Sequence, residues 1–173
     1  MILKPQDIAL LLKLVAMESR PWSYASIGVE LEMGPSQAHA AAKRALRAKL
    51  AVDDGGKVKP AIKPLEEFLF HGIRYAFPPE RGELTRGVPT SYAAPPLNEQ
   101  INQPDEPPPV WPFSEGRVRG YAFSPLYKSV PAPALRDAHF YELLALVDAL
   151  REGRARERQL AEKELKRRLR KGW

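Results

Sequence analysis

The order of segments within residues 22–60 constrains the fold more than any other feature of the chain. A short amphipathic segment ends at a Met-Gly-Pro turn, and a longer segment rich in alanine and basic residues follows it. Ser23 suits a helix N-cap and Pro35 suits the first turn of a helix. We therefore expect one helix from Ser23 to about Glu32 and a second from Pro35 to about Lys49, which together predict a helix-turn-helix.

The flanking segments extend this unit on both sides. Apolar residues at helical spacing predict a first helix from about Pro5 to Glu18. Residues 50–59 contain an Asp-Asp-Gly-Gly turn between two short segments, which predicts a two-stranded hairpin. A further helix is expected from about Lys63 to His71, with Gly72 as its C′ residue.

The expected helix from Pro35 to Lys49 has two distinct faces. Small apolar residues form the face that we expect to pack inward: Ala38, Ala41, Ala42, Ala45 and Leu46. Polar and basic residues occupy the other face and continue onto the hairpin. The candidate DNA-binding residues are therefore Ser36, Gln37, His39, Lys43, Arg44, Arg47, Lys49, Lys57 and Lys59.

The candidates divide by the contacts that their chemistry and position favour. Glutamine pairs with adenine, and arginine or lysine with guanine, so base contacts are assigned to Gln37, His39, Lys43 and Arg44. Phosphate contacts, which position a protein without reading sequence, are assigned to Arg47, Lys49, Lys57 and Lys59. For His39, a solvent-facing side chain is an equal alternative to a base contact.

A family resemblance rests on the same residues. The run Tyr24-Ala-Ser-Ile-Gly-Val-Glu-Leu-Glu-Met-Gly-Pro-Ser-Gln-Ala-His39, together with the run Ala42-Lys-Arg-Ala-Leu-Arg-Ala-Lys-Leu-Ala-Val52, resembles the winged helix of bacterial MarR-like transcriptional regulators. The resemblance covers about residues 1–72. It implies a winged-helix fold, double-stranded DNA as the ligand and a homodimer on a palindromic site. Gly34 departs from the serine or threonine cap that is more common there, and the family's long dimerisation helices do not bracket the segment. Ligand sensing is therefore not implied, and a winged helix used only for protein contacts is the alternative.

The positive charge is unevenly distributed along the chain. The net charge is +6, with 9 basic and 6 acidic residues in 1–60, 8 and 9 in 61–138, and 10 and 6 in 139–173. A basic surface suits a polyanion, because bound Lys and Arg release the counterions of the phosphates. The alternative is a solvated surface with a slight excess of charge.

Residues 77–133 form a proline-rich segment. Of the 18 prolines, 13 lie between Pro78 and Pro133, a density that disfavours long helices and central strands. Aromatic residues are scattered through the segment, whereas a flexible glycine-serine linker lacks them. We expect an extended arm that packs against its own domain or a partner chain, with a short strand in residues 116–123.

Residues 134–173 return to helical patterning. One predicted helix has apolar residues from Phe140 to Leu150. It either completes the core of its own chain or pairs with a second subunit. A charged helix follows from about Arg154 to Arg170. The basic residues at its end, Arg167, Arg168, Arg170 and Lys171, face phosphates or solvent. The candidate partner or dimer contacts are Trp111, Phe113, Tyr127, Phe140, Leu143, Leu144, Val147 and Leu150.

A second resemblance concerns the C-terminal half. The runs Leu126-Tyr-Lys-Ser-Val-Pro131 and His139-Phe-Tyr-Glu-Leu-Leu-Ala-Leu-Val-Asp-Ala-Leu-Arg-Glu-Gly-Arg-Ala-Arg-Glu-Arg158 are similar to small bacterial proteins encoded beside toxin-like nucleotidyltransferases. This resemblance implies an antitoxin or adaptor that binds a toxin-like protein partner through residues 78–173.

Other function classes lack their motifs. There is no cysteine, no apolar run of the roughly 20 residues that span a bilayer, no signal-peptide pattern and no phosphate-binding or hydrolase motif. The three histidines lack ligand spacing. We therefore expect a cytoplasmic, mainly α protein with no enzymatic activity, cofactor, metal or membrane partner. Its predicted segments are a winged helix-turn-helix (1–76), the proline-rich arm (77–133) and a helical segment (134–173).

Overall fold

The computed structural model of the protein describes residues 1–171. Its N-terminal part has the predicted order of parts, three helices followed by a hairpin and a fourth helix. The elements are α1 (Pro5–Met17), α2 (Tyr24–Leu31), α3 (Pro35–Arg47), β1 (Ala51–Asp54), β2 (Lys57–Pro60), α4 (Ile62–His71) and α5 (Ile73–Ala76).

The rest of the described chain contains a second set of strands and three more α-helices. These elements are β3 (Arg81–Pro89), β4 (Pro109–Pro112), β5 (Val118–Phe123), α6 (Pro131–Arg136), α7 (Ala138–Arg151) and α8 (Ala155–Leu169). Residues 1–171 thus contain eight α-helices, a two-stranded sheet and a three-stranded sheet, so helices dominate as expected and the strands make the fold mixed.

Local signals set the boundaries of the N-terminal elements. The Ser23 hydroxyl caps α2 by accepting the Ser26 N–H at 3.0 Å, as predicted. The hairpin turn uses Gly55 and Gly56, both with positive φ. The expectation for Gly72 is wrong, because its φ is −124° rather than left-handed. The chain continues directly into α5 there, so no left-handed turn away from α4 forms.

The proline-rich segment packs against its own chain and contains the short strand expected in residues 116–123, but it forms a three-stranded sheet rather than an extended arm. Strand β3 pairs antiparallel with β4 and with β5, and β4 pairs parallel with β5, so each strand pairs with both of the others. The prolines within these elements lie at strand ends, at Pro89, Pro109 and Pro112. At those positions a missing N–H does not interrupt the ladder, which is why a proline-rich segment still forms a sheet.

Helix α1 is the centre of the molecule. Every residue from Asp7 to Val15 is buried, rather than only the stripe that the apolar periodicity predicted. A helix buried on all sides needs packing partners on all sides. Helix α3 and strand β2 pack against α1, and so does α7 from the C-terminal segment.

Helix α7 is similarly enclosed. Residues 143–151 are buried without interruption, and Phe140 is fully buried. The assignment of partner or dimer contacts is therefore wrong for six residues, because their side chains pack in the protein's own core. These residues are Trp111, Phe140, Leu143, Leu144, Val147 and Leu150. Phe113 and Tyr127 are half-buried against the same core.

Two polar clusters, one buried and one partly buried, hold the C-terminal segment in place. The Asp148 carboxylate on α7 accepts hydrogen bonds from the Trp111 indole at 2.8 Å, the Thr90 hydroxyl at 2.6 Å and Arg151 at 2.8 Å. Burial raises the pKa of Asp148, and these donors oppose that rise. In the second cluster, Lys13 on α1 bonds Asp137 at 2.8 Å, next to the start of α7.

The C-terminal helix α8 is held by its charges as well as by its apolar residues. Arg168 pairs with Glu142 at 2.7 Å and with Glu164, and Arg170 pairs with Glu66 of α4 at 3.1 Å. Arg167 also pairs with Glu164 at 2.6 Å. Arg168 is half-buried between two carboxylates and does not face phosphates or solvent as expected, whereas Arg167 and Arg170 remain exposed, so their expected contacts with phosphates or solvent stay a prediction.

Within residues 1–171, no helix combines the length and the apolar character that crossing a membrane requires.

Candidate nucleic-acid interface

Helix α3 presents a polar and basic face on the protein surface. Pro35 begins the helix, and the Gln37 side-chain oxygen accepts the Gly34 N–H at 2.9 Å, which ties the first turn to the preceding loop. The exposed side chains along this face are Ser36, Gln37, His39, Lys43 and Arg47. Their spacing of three or four residues places most of them on one side of the helix.

The opposite face of α3 consists of alanines. Ala38, Ala41, Ala42 and Ala45 are buried, as predicted, and Leu46 is half-buried. Small side chains let α3 approach α1 and α2 closely, so the helix is held rigidly without covering its outer face. The exposed face therefore has a fixed orientation.

A close backbone contact sets the angle between α2 and α3. The Met33 N–H donates to the Gly28 carbonyl at 2.9 Å, which folds the turn back onto α2. A Cβ at residue 28 would lie 2.6 Å from the Met33 carbonyl oxygen. Only glycine fits this position without displacing the turn.

Arg44 does not belong to the exposed face, so its assignment as a base contact is wrong. Its guanidinium forms two hydrogen bonds with the Asp7 carboxylate, at 2.7 and 2.8 Å, and Asp7 is completely buried. The hydrogen bond with Asp7 raises the pKa of Arg44. A bidentate pair of this kind joins α3 to α1 and leaves no free donor fork for a base.

Two aromatic rings, those of Trp22 and Tyr24, lie beside the exposed face. Tyr24 contacts His39 edge-on with ring centroids 4.8 Å apart, and Trp22 contacts Tyr24 in the same way at 5.2 Å. Burial and the nearby Asp53 raise the pKa of Tyr24. His39 is exposed and rests on Tyr24, which limits the directions in which its imidazole can point.

The hairpin and the residue after α3 add basic groups. Lys49 and Lys57 are exposed, and Lys49 has a left-handed backbone with φ of +66°. Lys59 pairs with Asp54 at 2.6 Å, and this hydrogen bond lowers the pKa of Asp54. Both partners are exposed, so the pair is weak and Lys59 is free to exchange it for a phosphate.

A further lysine lies close to the start of α3. Tyr127 and Lys128 line one surface cleft together with Gly34 and Gln37, and the Ser129 hydroxyl donates to the Leu31 carbonyl at 2.7 Å. Lys128 is exposed. Sequence reasoning missed this residue, because a single lysine in a proline-rich segment carries no signal of its position.

The residues that the structure describes contain no group of three or more metal-ligating side chains. The chain matches no family model, no curated protein and no solved structure.

Proposed function

We propose that the protein is a sequence-specific regulator of transcription that binds double-stranded DNA through α3, and that it regulates its own operon. The observation that carries the proposal is the exposed face of α3, which is polar at its N-terminal end and basic further along. An α-helix with such a face fits the major groove. The order α1, α2, α3 and hairpin is that of a winged helix-turn-helix, which docks DNA in this way.

The residues have separate roles in this complex. Gln37 and His39, near the N-terminus of α3, and Lys43, one turn further along the exposed face, contact base edges. Arg47, Lys49, Lys57, Lys59 and Lys128 contact phosphates. Arg44 is excluded from both groups, because it is bound to Asp7. Phosphate contacts supply most of the affinity, and base contacts supply the choice of sequence.

A homodimer would match a palindromic site, because two copies of α3 would enter successive turns of the groove. The large apolar residues of α7 are buried in the protein's own core and do not form this interface. A dimer therefore requires a different surface, and half-site spacing in the operator would report its geometry.

The experiment is a fluorescence-anisotropy titration with duplex DNA from the protein's own upstream region and with scrambled duplex, at two salt concentrations. We expect tighter binding to the upstream DNA and an affinity that falls steeply with salt. Replacement of Lys43 and Arg47 by alanine should weaken binding at least tenfold and reduce the salt slope by about 1 for each lost phosphate contact.

The matched control removes two positive charges elsewhere, with Arg156→Ala and Lys163→Ala, both exposed on α8. This control should bind as the wild type does. Equal weak binding of wild-type protein to both duplexes would refute sequence-specific recognition. An unchanged affinity in the Lys43→Ala, Arg47→Ala variant would refute the role of α3.

The alternative proposal is an antitoxin or adaptor that binds a protein partner through residues 78–173. Its motivation was the set of aromatic and apolar residues in that region, and the largest of them are buried within the chain. A partner would therefore have to use other side chains. Co-purification of the products of the native operon distinguishes this alternative from DNA binding alone.

A further inference from the structure

The two-stranded ribbon of β3 and β5 carries an unusual pair of arginines. In the antiparallel register, Arg86 lies directly opposite Arg119, and Leu84 lies directly opposite Tyr121. Residues two apart along a strand point to the same face, so these four side chains form one surface patch. All four are exposed, Leu84 by 42% and Tyr121 by 41%. We call them the ribbon patch.

The arginine pair opposes the stability of the ribbon. Like charges directly across a strand pair repel each other and destabilise the sheet. Among the described residues, neither arginine has a carboxylate within salt-bridge distance, although Arg81 of the same strand pairs with Glu152 at 2.7 Å. The arrangement therefore leaves two guanidinium groups free on a rigid backbone and available for an external anion.

The surroundings of the ribbon patch do not neutralise it. Glu83 lies on β3 where the register is irregular, and Glu115 lies in the turn before β5. In residues 1–171 neither forms an ion pair with an arginine of the patch. Arg117, two residues before Arg119, is also exposed and adds a third positive charge.

Leu84 and Tyr121, the apolar half of the ribbon patch, indicate which class of anion the arginines bind. An exposed tyrosine ring next to arginines on a sheet surface is suited to stacking on a base while the guanidinium groups bind the neighbouring phosphates. In duplex DNA the faces of the bases are covered by stacking, so only an unpaired strand offers both the ring contact and the phosphates. We propose that the ribbon patch binds single-stranded nucleic acid, as a site separate from α3.

The test is an anisotropy titration with a labelled 12-nucleotide oligothymidine and with a scrambled 12-base-pair duplex. In the Lys43→Ala, Arg47→Ala background, which weakens the proposed α3 contacts with duplex DNA, the protein should bind the single strand more tightly than the scrambled duplex. Replacing Arg86 and Arg119 by alanine should weaken single-strand binding at least tenfold, and Tyr121→Ala should weaken it about tenfold, the usual effect of losing one stacked base.

Two control variants test whether a loss of single-strand binding is specific to the ribbon patch. The Arg156→Ala, Lys163→Ala variant removes the same charge from α8 and should leave single-strand binding unchanged. The Lys43→Ala, Arg47→Ala variant should also leave it unchanged, so failure of this proposal is distinguishable from failure of DNA recognition by α3. An equal loss in the α8 variant would overturn the proposal, because the binding would then depend only on net charge.

Three further outcomes would also overturn it. Tighter binding of the Lys43→Ala, Arg47→Ala variant to the scrambled duplex would show that base stacking plays no part. Displacement of the oligonucleotide by an equal charge concentration of polyglutamate would identify an acidic protein as the better partner. Thermal melting checks the fold independently: the Arg86→Ala, Arg119→Ala variant should melt at or above the wild-type temperature, since it removes a repulsion. A melting temperature several degrees lower would overturn the premise that the pair is unsatisfied.

Discussion

Lys43 and Arg44 are neighbours in the sequence and both are basic, yet they have opposite roles. Lys43 is exposed on the outer face of α3, whereas Arg44 forms a two-bonded pair with the buried Asp7. A rotation of about 100° per residue around a helix is enough to separate a surface cation from one that is part of the core. At this scale, the residues of α3 that hold the core and those that we propose bind DNA are distinguishable only by their contacts.

Arg44→Ala should lower the free energy of unfolding by about 3 kcal/mol, because removing one partner leaves a buried carboxylate without its countercharge. Lys43→Ala, the matched control, should change it by no more than about 0.5 kcal/mol, as for other surface positions. Urea denaturation followed by circular dichroism measures both. Equal stability of the two variants would show that the Asp7 pair contributes nothing.

Among the elements, α7 connects the two halves of the molecule. Its first turn is capped by Asp137, whose carboxylate accepts the Phe140 N–H at 3.2 Å and binds Lys13 of α1 at 2.8 Å. Further along α7, the Asp148 carboxylate accepts a hydrogen bond from the indole N–H of Trp111 in β4. The helix therefore joins α1 on one side and the three-stranded sheet on the other, through groups that lie far apart in sequence.

The Asp137 carboxylate predicts a pH dependence of stability. Burial raises its pKa, but the hydrogen bonds from Lys13 and Phe140 outweigh burial, so the folded-state pKa is below the usual value. A lowered folded-state pKa contributes stability that is present above the unfolded value of about 3.9 and is lost as the pH falls through the folded value.

Asp137→Asn keeps an N-cap but removes the charge. The free energy of unfolding of the wild type should therefore fall more steeply below about pH 4 than that of the variant. Urea titrations between pH 6 and the acid transition, in about half-unit steps, compare the two slopes. Parallel curves would show that Asp137 does not carry this dependence.

For the whole molecule, one hydrophobic core includes residues from all three predicted segments. It contains Leu10 of α1, Trp111 of β4, Leu146 of α7 and Leu165 of α8, among others. The sequence predicts that residues 1–76, which end with α5, form a separate domain. However, α1 is buried partly by α7, so the N-terminal part depends on the C-terminal part for its packing.

A fragment of residues 1–76 should therefore lack a cooperative thermal transition, because removing α7 exposes apolar residues of α1 to water. The full chain should unfold in one transition. Differential scanning calorimetry of both proteins provides the comparison. A fragment that melts cooperatively near the temperature of the full chain would establish residues 1–76 as an independent domain.

Local interactions determined what the sequence could predict. Caps, prolines and apolar periodicity act over at most about four residues, and they placed α1, α2, α3, the hairpin and α8 within a few residues of their observed bounds. The outward direction of Ser36, Gln37, His39, Lys43 and Arg47 follows from the same periodicity. These features needed no knowledge of distant contacts.

The tertiary structure alone decided the rest, because the deciding contacts join residues that are far apart in the chain. Asp7 and Arg44 are 37 residues apart, as are Trp111 and Asp148. Because of such long-range contacts, Arg44 is bound to Asp7 rather than free on the surface, and the apolar residues of α7 are buried in the core rather than exposed to a partner. The mutual pairing of β3, β4 and β5 placed Arg86 opposite Arg119, a juxtaposition that composition and periodicity do not encode.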